Sequence, residues 1–260
     1  MTDPISTVSM LSLRPNGGEM LKPAELIEID GAEKLTLNAR RIYNVLLHNA
    51  HGPELGDPHH VFRISFAELK FAHAGNDRLA PAIKSLMKTI VTVRREDGGT
   101  TFFPLLGKTS ITDPKRERGI LTYRFDPDLV DLLRDSRIFA KLQLDVVHNV
   151  SSKYALALYE IVAKRVRLSF VKSETFKLDD FKLMLGVEQG KLGTYSNFLK
   201  FAMTPAFDEV NRLADFNVVF EPIKVGRKVD AIRIAWAVKD VSERKKAYAA
   251  LRGDEEALSE

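Results

Sequence analysis

Apolar and polar positions change period several times along this chain, and each change marks an element. Behind Thr36, a natural helix cap, Ile42, Val45 and Leu46 recur at helical spacing and predict a helix from Leu37 to about Asn49. A loop runs from His51-Gly52-Pro53 to Asp57-Pro58. Phe62 to Ile64 alternates as a short strand does. Ser65, with Glu68 three residues on, forms a capping box that opens a helix to about His73. Asn76 or Asp77 begins the next helix, which carries Leu79, Ile83, Leu86 and Met87. Pro81 sits in its first turn, where a missing N–H costs little. Ile90–Arg95 and Thr101–Leu106 then pair across Asp97-Gly98-Gly99. A long basic connection holding Lys115, Arg116 and Arg118 leads to a strand from Gly119 to Phe125. Asp126 as cap and Pro127 at the first position open a helix to Arg134.

The same order then returns. Ser152 caps a helix on which Tyr154, Leu158, Ile161, Val162 and Val166 share a face. Phe176-Lys177-Leu178-Asp179-Asp180-Phe181-Lys182-Leu183 reads almost as Phe62-Arg63-Ile64-Ser65-Phe66-Ala67-Glu68-Leu69 does, with Asp179 as cap of a helix ending at Gly186. A glycine-rich turn, Gly190 to Gly193, leads into a segment from Tyr195 to Leu213. Pro205 inside it predicts a kink, or a new start capped by Thr204. Phe216–Lys224 and Lys228–Val238 form a hairpin around Val225-Gly226-Arg227. A last helix runs from Ser242 to Leu251. Helix, short strand, helix, helix, hairpin is the order of a winged helix, and it occurs twice. The predicted fold class is α+β, two tandem winged-helix domains. Residues 1–34 form an N-terminal arm with room for short strand pairing, 35–142 the first domain, 143–240 the second, and 241–260 a C-terminal tail.

Charge sharpens this picture. The net charge of +4 divides into −3 over the arm, +5 and +3 over the two domains, and −1 over the tail. A basic body between acidic ends suits a polyanionic partner such as nucleic acid. Cysteine is absent, which removes disulfides and thiolate metal sites and fits a reducing cytoplasm. No apolar run has the length of a membrane span, and no signal peptide is expected at the start.

No catalytic constellation emerges. His59-His60 are adjacent, so in a strand they would point to opposite faces rather than converge on a metal. Gly107-Lys108-Thr109 resembles the end of a phosphate-binding loop, yet Phe102 stands where that loop needs its first glycine. Gly186 to Lys191 has the wrong spacing, and no Ser or Thr follows Lys191. The carboxylates are scattered. The expectation is a protein without enzymatic activity, cofactor or metal.

Duplex DNA is the expected partner. In a winged helix the third helix enters the major groove, and the hairpin, the wing, touches backbone or minor groove. In the second domain that helix offers Thr194, Ser196, Asn197 and Lys200, with Lys191 just before it within reach of phosphate. Asn can pair bidentately with adenine and Lys can donate to guanine. The wing offers Lys224, Arg227 and Lys228. In the first domain Arg78, Lys84 and Lys88 lie on the equivalent helix, and Arg94 and Arg95 on the hairpin. They form either a second DNA contact or a solvated face of a dimerisation module.

Three segments together resemble a known family. Ser151-Ser152-Lys153-Tyr154-Ala155-Leu156-Ala157-Leu158-Tyr159-Glu160 is similar to the opening helix of the second winged helix of plasmid replication initiators, the Rep_3 or RepB-like class that binds iterons. Asp208-Glu209-Val210-Asn211 resembles the Glu-Ile-Asn that closes the recognition segment of that class. Lys224-Val225-Gly226-Arg227-Lys228-Val229-Asp230-Ala231-Ile232 resembles its wing. The resemblance runs from about Leu35 to Lys239. The chain departs from the family at Ala157, where a basic residue is common, and in having few arginines around Lys200. The resemblance implies a cytoplasmic, plasmid-borne bacterial initiator. It would bind the direct repeats of an origin, help open it, and recruit host replication proteins such as an initiator ATPase and a helicase. It would also pass between monomer and dimer and act on its own promoter. A winged-helix transcriptional regulator binding operator DNA is the alternative.

Overall fold

Side-chain caps set most helix starts in this fold. The computed structural model describes residues 13–29, 31–69, 79–94, 98–112, 119–136, 138–168 and 170–254, with the backbone alone at 93, 94 and 135. The chain divides into two compact units, Met1–Lys141 and Leu142–Glu260.

In the first unit, β1 (Glu19–Pro23) pairs with β7 (Phe139–Gln143). A 3-10 turn, Ala24–Leu26, follows β1, and the Ala24 N–H donates to the Ile138 carbonyl at 2.8 Å. Met20, Leu21 and Leu26 are buried, so the stretch read as an arm belongs to the packed unit from Glu19 onward. α1 spans Leu37–Ala50, and the Thr36 hydroxyl accepts from the Ala39 N–H at 3.2 Å. β2 (Phe62–Ser65) ends in the capping box: the Ser65 N–H donates to the Glu68 carboxylate at 3.0 Å, and the Glu68 N–H to the Ser65 hydroxyl at 3.3 Å. Phe66 to Leu69 forms a turn, and the rest of the helix expected there lies outside the described residues. So do Asn76, Asp77 and the basic connection residues Lys115, Arg116 and Arg118. α2 covers Leu79–Lys88, and β3 (Ile90–Arg94) pairs with β4 (Thr100–Pro104).

One feature differs from the sequence reading. Thr109–Thr112, expected as connection, is a strand, β5. It pairs with one side of β6 (Ile120–Tyr123), and β2 pairs with the other side, while β3 and β4 form a separate two-stranded sheet. The register explains the choice of partner. Phe62 lies opposite Tyr123, with ring centroids 5.6 Å apart, and Phe125 stacks edge-on against Tyr123, also at 5.6 Å. The Tyr123 hydroxyl donates to the Leu46 carbonyl at 2.7 Å and ties this aromatic cluster to α1. Gly107 lets the chain pass: a Cβ there would lie 2.9 Å from the Arg124 carbonyl oxygen. α3 (Pro127–Asp135) starts at Asp126, whose carboxylate accepts from the Asp128 N–H at 3.0 Å.

The second unit opens with α4 (Leu144–Asn149), a helix that the sequence reading did not anticipate. α5 (Lys153–Arg165) is capped by Ser152, which accepts from the Ala155 N–H at 3.0 Å, and is buried almost all round. β8 (Ser173–Lys177) leads into α6 (Leu178–Met184). Asp179 is not its cap: the cap position is Lys177, and Asp179 and Asp180 lie in the first turn, where carboxylates favour the helix dipole. α7 (Tyr195–Phe198), a π turn (Leu199–Met203) and α8 (Thr204–Leu213) follow without a break. Thr204 is therefore not a cap. The Thr204 N–H bonds to the Leu199 carbonyl, five residues back. This wider turn makes room for the Pro205 ring, which in a regular helix would meet the carbonyl four residues back. β9 (Phe216–Val225) and β10 (Lys228–Val238) form a hairpin closed by Gly226-Arg227 alone, with Gly226 at φ 62°. The sheet order is β8-β10-β9, so β9 is an edge strand and can carry Pro222. α9 (Val241–Arg252) starts with a full capping box between Asp240 and Glu243.

Candidate nucleic-acid interface

The helix running from α7 through α8 has one buried face and one open face. Phe198, Ala202, Met203, Ala206, Phe207, Val210 and Leu213 are buried. Phe198 meets Phe181 edge-on at 6.4 Å, and Phe207 meets Phe220 at 4.8 Å, so the helix is clamped between α6 and β9. The open face of its first turns carries Ser196, Asn197 and Lys200, all exposed. The Lys200 ammonium lies 5.1 Å from the ring centroid of exposed Phe201. Thr194 is exposed but already occupied, since its hydroxyl caps the helix by accepting from the Asn197 N–H at 3.2 Å. Lys191 is exposed in the preceding turn, where Leu192 takes a left-handed conformation at φ 49°.

The wing projects from the same unit. Phe216 and Val218 are buried, whereas every residue from Glu221 to Lys228 is exposed, including Lys224, Arg227 and Lys228. A register shift between Val229 and Ala231 inserts an extra residue opposite the β9 strand, which adds local twist.

Two residues that the sequence reading gave no role at the site hold the helix to the wing. The Asn211 carboxamide faces the free edge of β9: it accepts from the Val218 N–H at 2.7 Å and donates to the Val218 carbonyl at 2.9 Å. Lys239 is buried, and its ammonium donates to the Asn211 carbonyl and, at 2.8 Å, to the Ala214 carbonyl, closing the last turn of α8. Burial lowers its pKa from the ordinary lysine value, against the pull of Glu243 and Asp215. The resemblance at Asp208-Glu209-Val210-Asn211 was the one sequence signal near this lock. Behind the sheet, buried Arg165 reaches the Glu174 carboxylate at 2.6 Å and the Ile161 carbonyl at 3.1 Å, and stacks 5.2 Å from the Phe176 ring.

In the first unit the structure gathers less. Lys84 and Lys88 are exposed one turn apart on α2. Arg94 lies in β3 with only its backbone described, and Arg78 and Arg95 fall outside the described residues. Among the described residues no three His, Asp or Glu side chains are placed to hold a metal ion, and no helix is long and apolar enough to cross a membrane. The His60 ring packs on Phe62 at 4.6 Å.

Residues 19–163 match the family described as initiator replication protein, WH1, and residues 177–236 match initiator Rep protein, WH2. The fold is similar to that in a crystal structure of Pi initiator protein in complex with iteron DNA, with a TM-score of 0.66 at 17% identity, covering 87% of this chain and 100% of that one. The two tandem winged helices expected from the sequence are thus the architecture found. A stretch of 91 residues is 34% identical to part of the DNA-directed RNA polymerase subunit beta of Clostridium acetobutylicum, covering 34% of this chain and 7% of that much longer subunit.

Proposed function

This chain belongs to the initiator replication protein family, and from that membership we propose that it starts plasmid replication by binding direct repeats, iterons, at an origin. One observation carries the reading. The second unit offers a helix clamped on one face, with Ser196, Asn197 and Lys200 open on the other, and a wing whose outer half is exposed and carries Lys224, Arg227 and Lys228. Side chains of the helix reach base edges in the major groove, and cations of the wing and Lys191 hold phosphates. Lys84 and Lys88 supply a second backbone contact from the first unit.

The protein acts without catalysis, by occupying the repeats, helping to open the adjacent duplex and recruiting host replication proteins such as an initiator ATPase and a helicase, in a bacterial cytoplasm. A dimer formed by the first unit is a further part of the reading. Ile90 and Phe102, 51% and 66% exposed on the outward face of the β3–β4 hairpin, support it. Binding to its own promoter as a regulator is the alternative, and it shares the same contacts.

Fluorescence anisotropy on duplexes bearing the repeats beside the gene, against scrambled duplexes and across a salt series, tests the proposal. Preference for the repeats with strong salt dependence is expected. Equal affinity for both duplexes would leave only a basic surface, and preference for a single inverted repeat over a promoter would favour the regulator. Lys200→Ala costs about 1–3 kcal/mol and relaxes base preference at one position. Arg227→Ala weakens binding to all sequences and reduces the salt slope by roughly 0.9.

A further inference from the structure

The outer half of the wing breaks the usual pattern of an exposed strand. Side chains alternate between faces along β9, and on the face turned away from the core stand Ile223 and Val225, 38% and 67% exposed. Arg227 and Lys228, in and beside the turn next to Val225, are also exposed, as is Lys224 on the opposite face of the strand. β-Branched apolar side chains at an exposed tip lose by contact with water, whereas cations there gain by contact with water or phosphate. One partner satisfies both. The rims of a DNA minor groove are phosphates, and its walls are the C–H groups of the sugars. Pro222 argues against a strand from another protein as the cover, because it removes a backbone donor from this edge. The two-residue turn makes the tip the narrowest part of the sheet, as insertion into a groove about 6 Å wide requires.

The floor of that groove discriminates between base pairs. A·T pairs present only acceptors there, flush with the floor. A G·C pair adds the guanine N2 amine, a donor that protrudes and that an apolar side chain can neither accept from nor make room for. We propose that the wing tip enters the minor groove beside the major-groove site, and that Val225, supported by Ile223, selects A·T over G·C at the base pairs beneath it. The proposal rests on the reading of this chain as a duplex-binding initiator and adds a specificity contact to it.

Inosine separates the two grooves, since an I·C pair has the major-groove face of G·C but lacks the N2 amine. The full chain, as a confirmed monomer, is titrated by anisotropy onto duplexes carrying its native repeats. Each A·T pair is replaced in turn by G·C and by I·C. At the positions under the wing, G·C lowers affinity about fivefold or more and I·C leaves it unchanged. Val225→Asn, whose carboxamide oxygen accepts from the amine, and Val225→Ala, which leaves room for it, both shrink the G·C penalty. Trp236 fluorescence checks that the variants stay folded. If I·C harms binding as much as G·C at every position, the readout is in the major groove and the proposal fails. It also fails if the G·C penalty is the same in both Val225 variants. An unaltered chain that does not prefer its repeats to scrambled DNA overturns the initiator reading and this one with it. Preference for the repeats with no minor-groove signature overturns this one alone.

Discussion

Replacing Asn211 by alanine tests the lock between α8 and the wing strand β9. The carboxamide makes two hydrogen bonds, at 2.7 and 2.9 Å, to the N–H and carbonyl of Val218, a residue 1% exposed on the free edge of β9. Asn211→Ala leaves both backbone groups without their partner. A buried donor or acceptor left unpaired costs about 1–3 kcal/mol, and water entering where the half-buried Asn211 stood recovers part of it, so the loss is about 2–4 kcal/mol. With a urea m-value of about 2 kcal/mol per molar, the unfolding midpoint falls by roughly 1–2 M. The assay has a built-in reporter, because Trp236 is the single tryptophan of the chain and lies 4% exposed in β10, so its fluorescence follows the second unit. Asn211→Asp keeps the acceptor and loses the donor, and should fall between wild type and Asn211→Ala. A shift for Asn211→Ala of less than about 0.5 kcal/mol, the range of ordinary surface substitutions, would refute the idea that these two bonds fix the wing.

Three further outcomes follow from the same kind of reasoning. Glu174→Gln removes the charge that faces buried Arg165, and should destabilise the second unit by about 1–3 kcal/mol in the same Trp236 titration. Gly107→Ala drives a Cβ against the backbone carbonyls of Arg124 and Phe125, which cannot swing away; a cost of about 1–3 kcal/mol should appear as a lower melting temperature of the first unit by circular dichroism. Burial, and secondarily the charge of His51, lower the His48 pKa from its ordinary value of 6.5. The unfolded chain therefore binds the proton first as the pH drops, and the first unit loses stability from about pH 6.5 down to the folded-state pKa. Thermal melts between pH 7.5 and 5 should show that loss, and His48→Gln should flatten it.

Most local signals were legible in the sequence and distant ones were not, although Asp179 falls in the first turn of α6 instead of capping it and α4 gave no cap signal. Thr36, Asp126 and Ser152 each cap the helix they were expected to cap, because capping depends on residues three or fewer apart. Gly226 marked the wing turn, but the sequence reading put Val225 in that turn, whereas Val225 ends β9 and the turn is Gly226-Arg227 alone. β5 was missed because Thr109–Thr112 has no strong apolar alternation, and its partner lies beyond a basic connection. The pairing of β2 with β6 joins residues nearly sixty positions apart, a choice made by the packing of Phe62, Tyr123 and Phe125. Pro205 was correctly suspect, but a π turn rather than a kink absorbs it. At the site, the exposed cations could be read from spacing. The lock of Asn211 and Lys239 could not, since nothing in a run of residues says that a lysine at a strand end will be buried under the end of a helix.

The pairing of β1 with β7 has a consequence for how the protein is made. β1 leaves the ribosome about 120 residues ahead of its partner strand. At roughly 5–20 residues per second, that interval lasts about 6–24 s. Throughout it, Met20, Leu21 and Leu26, which end up buried, have no completed sheet to cover them. The nascent chain therefore presents an apolar strand to chaperones until β7 emerges, and changes in synthesis speed between the two strands should alter the yield of folded initiator.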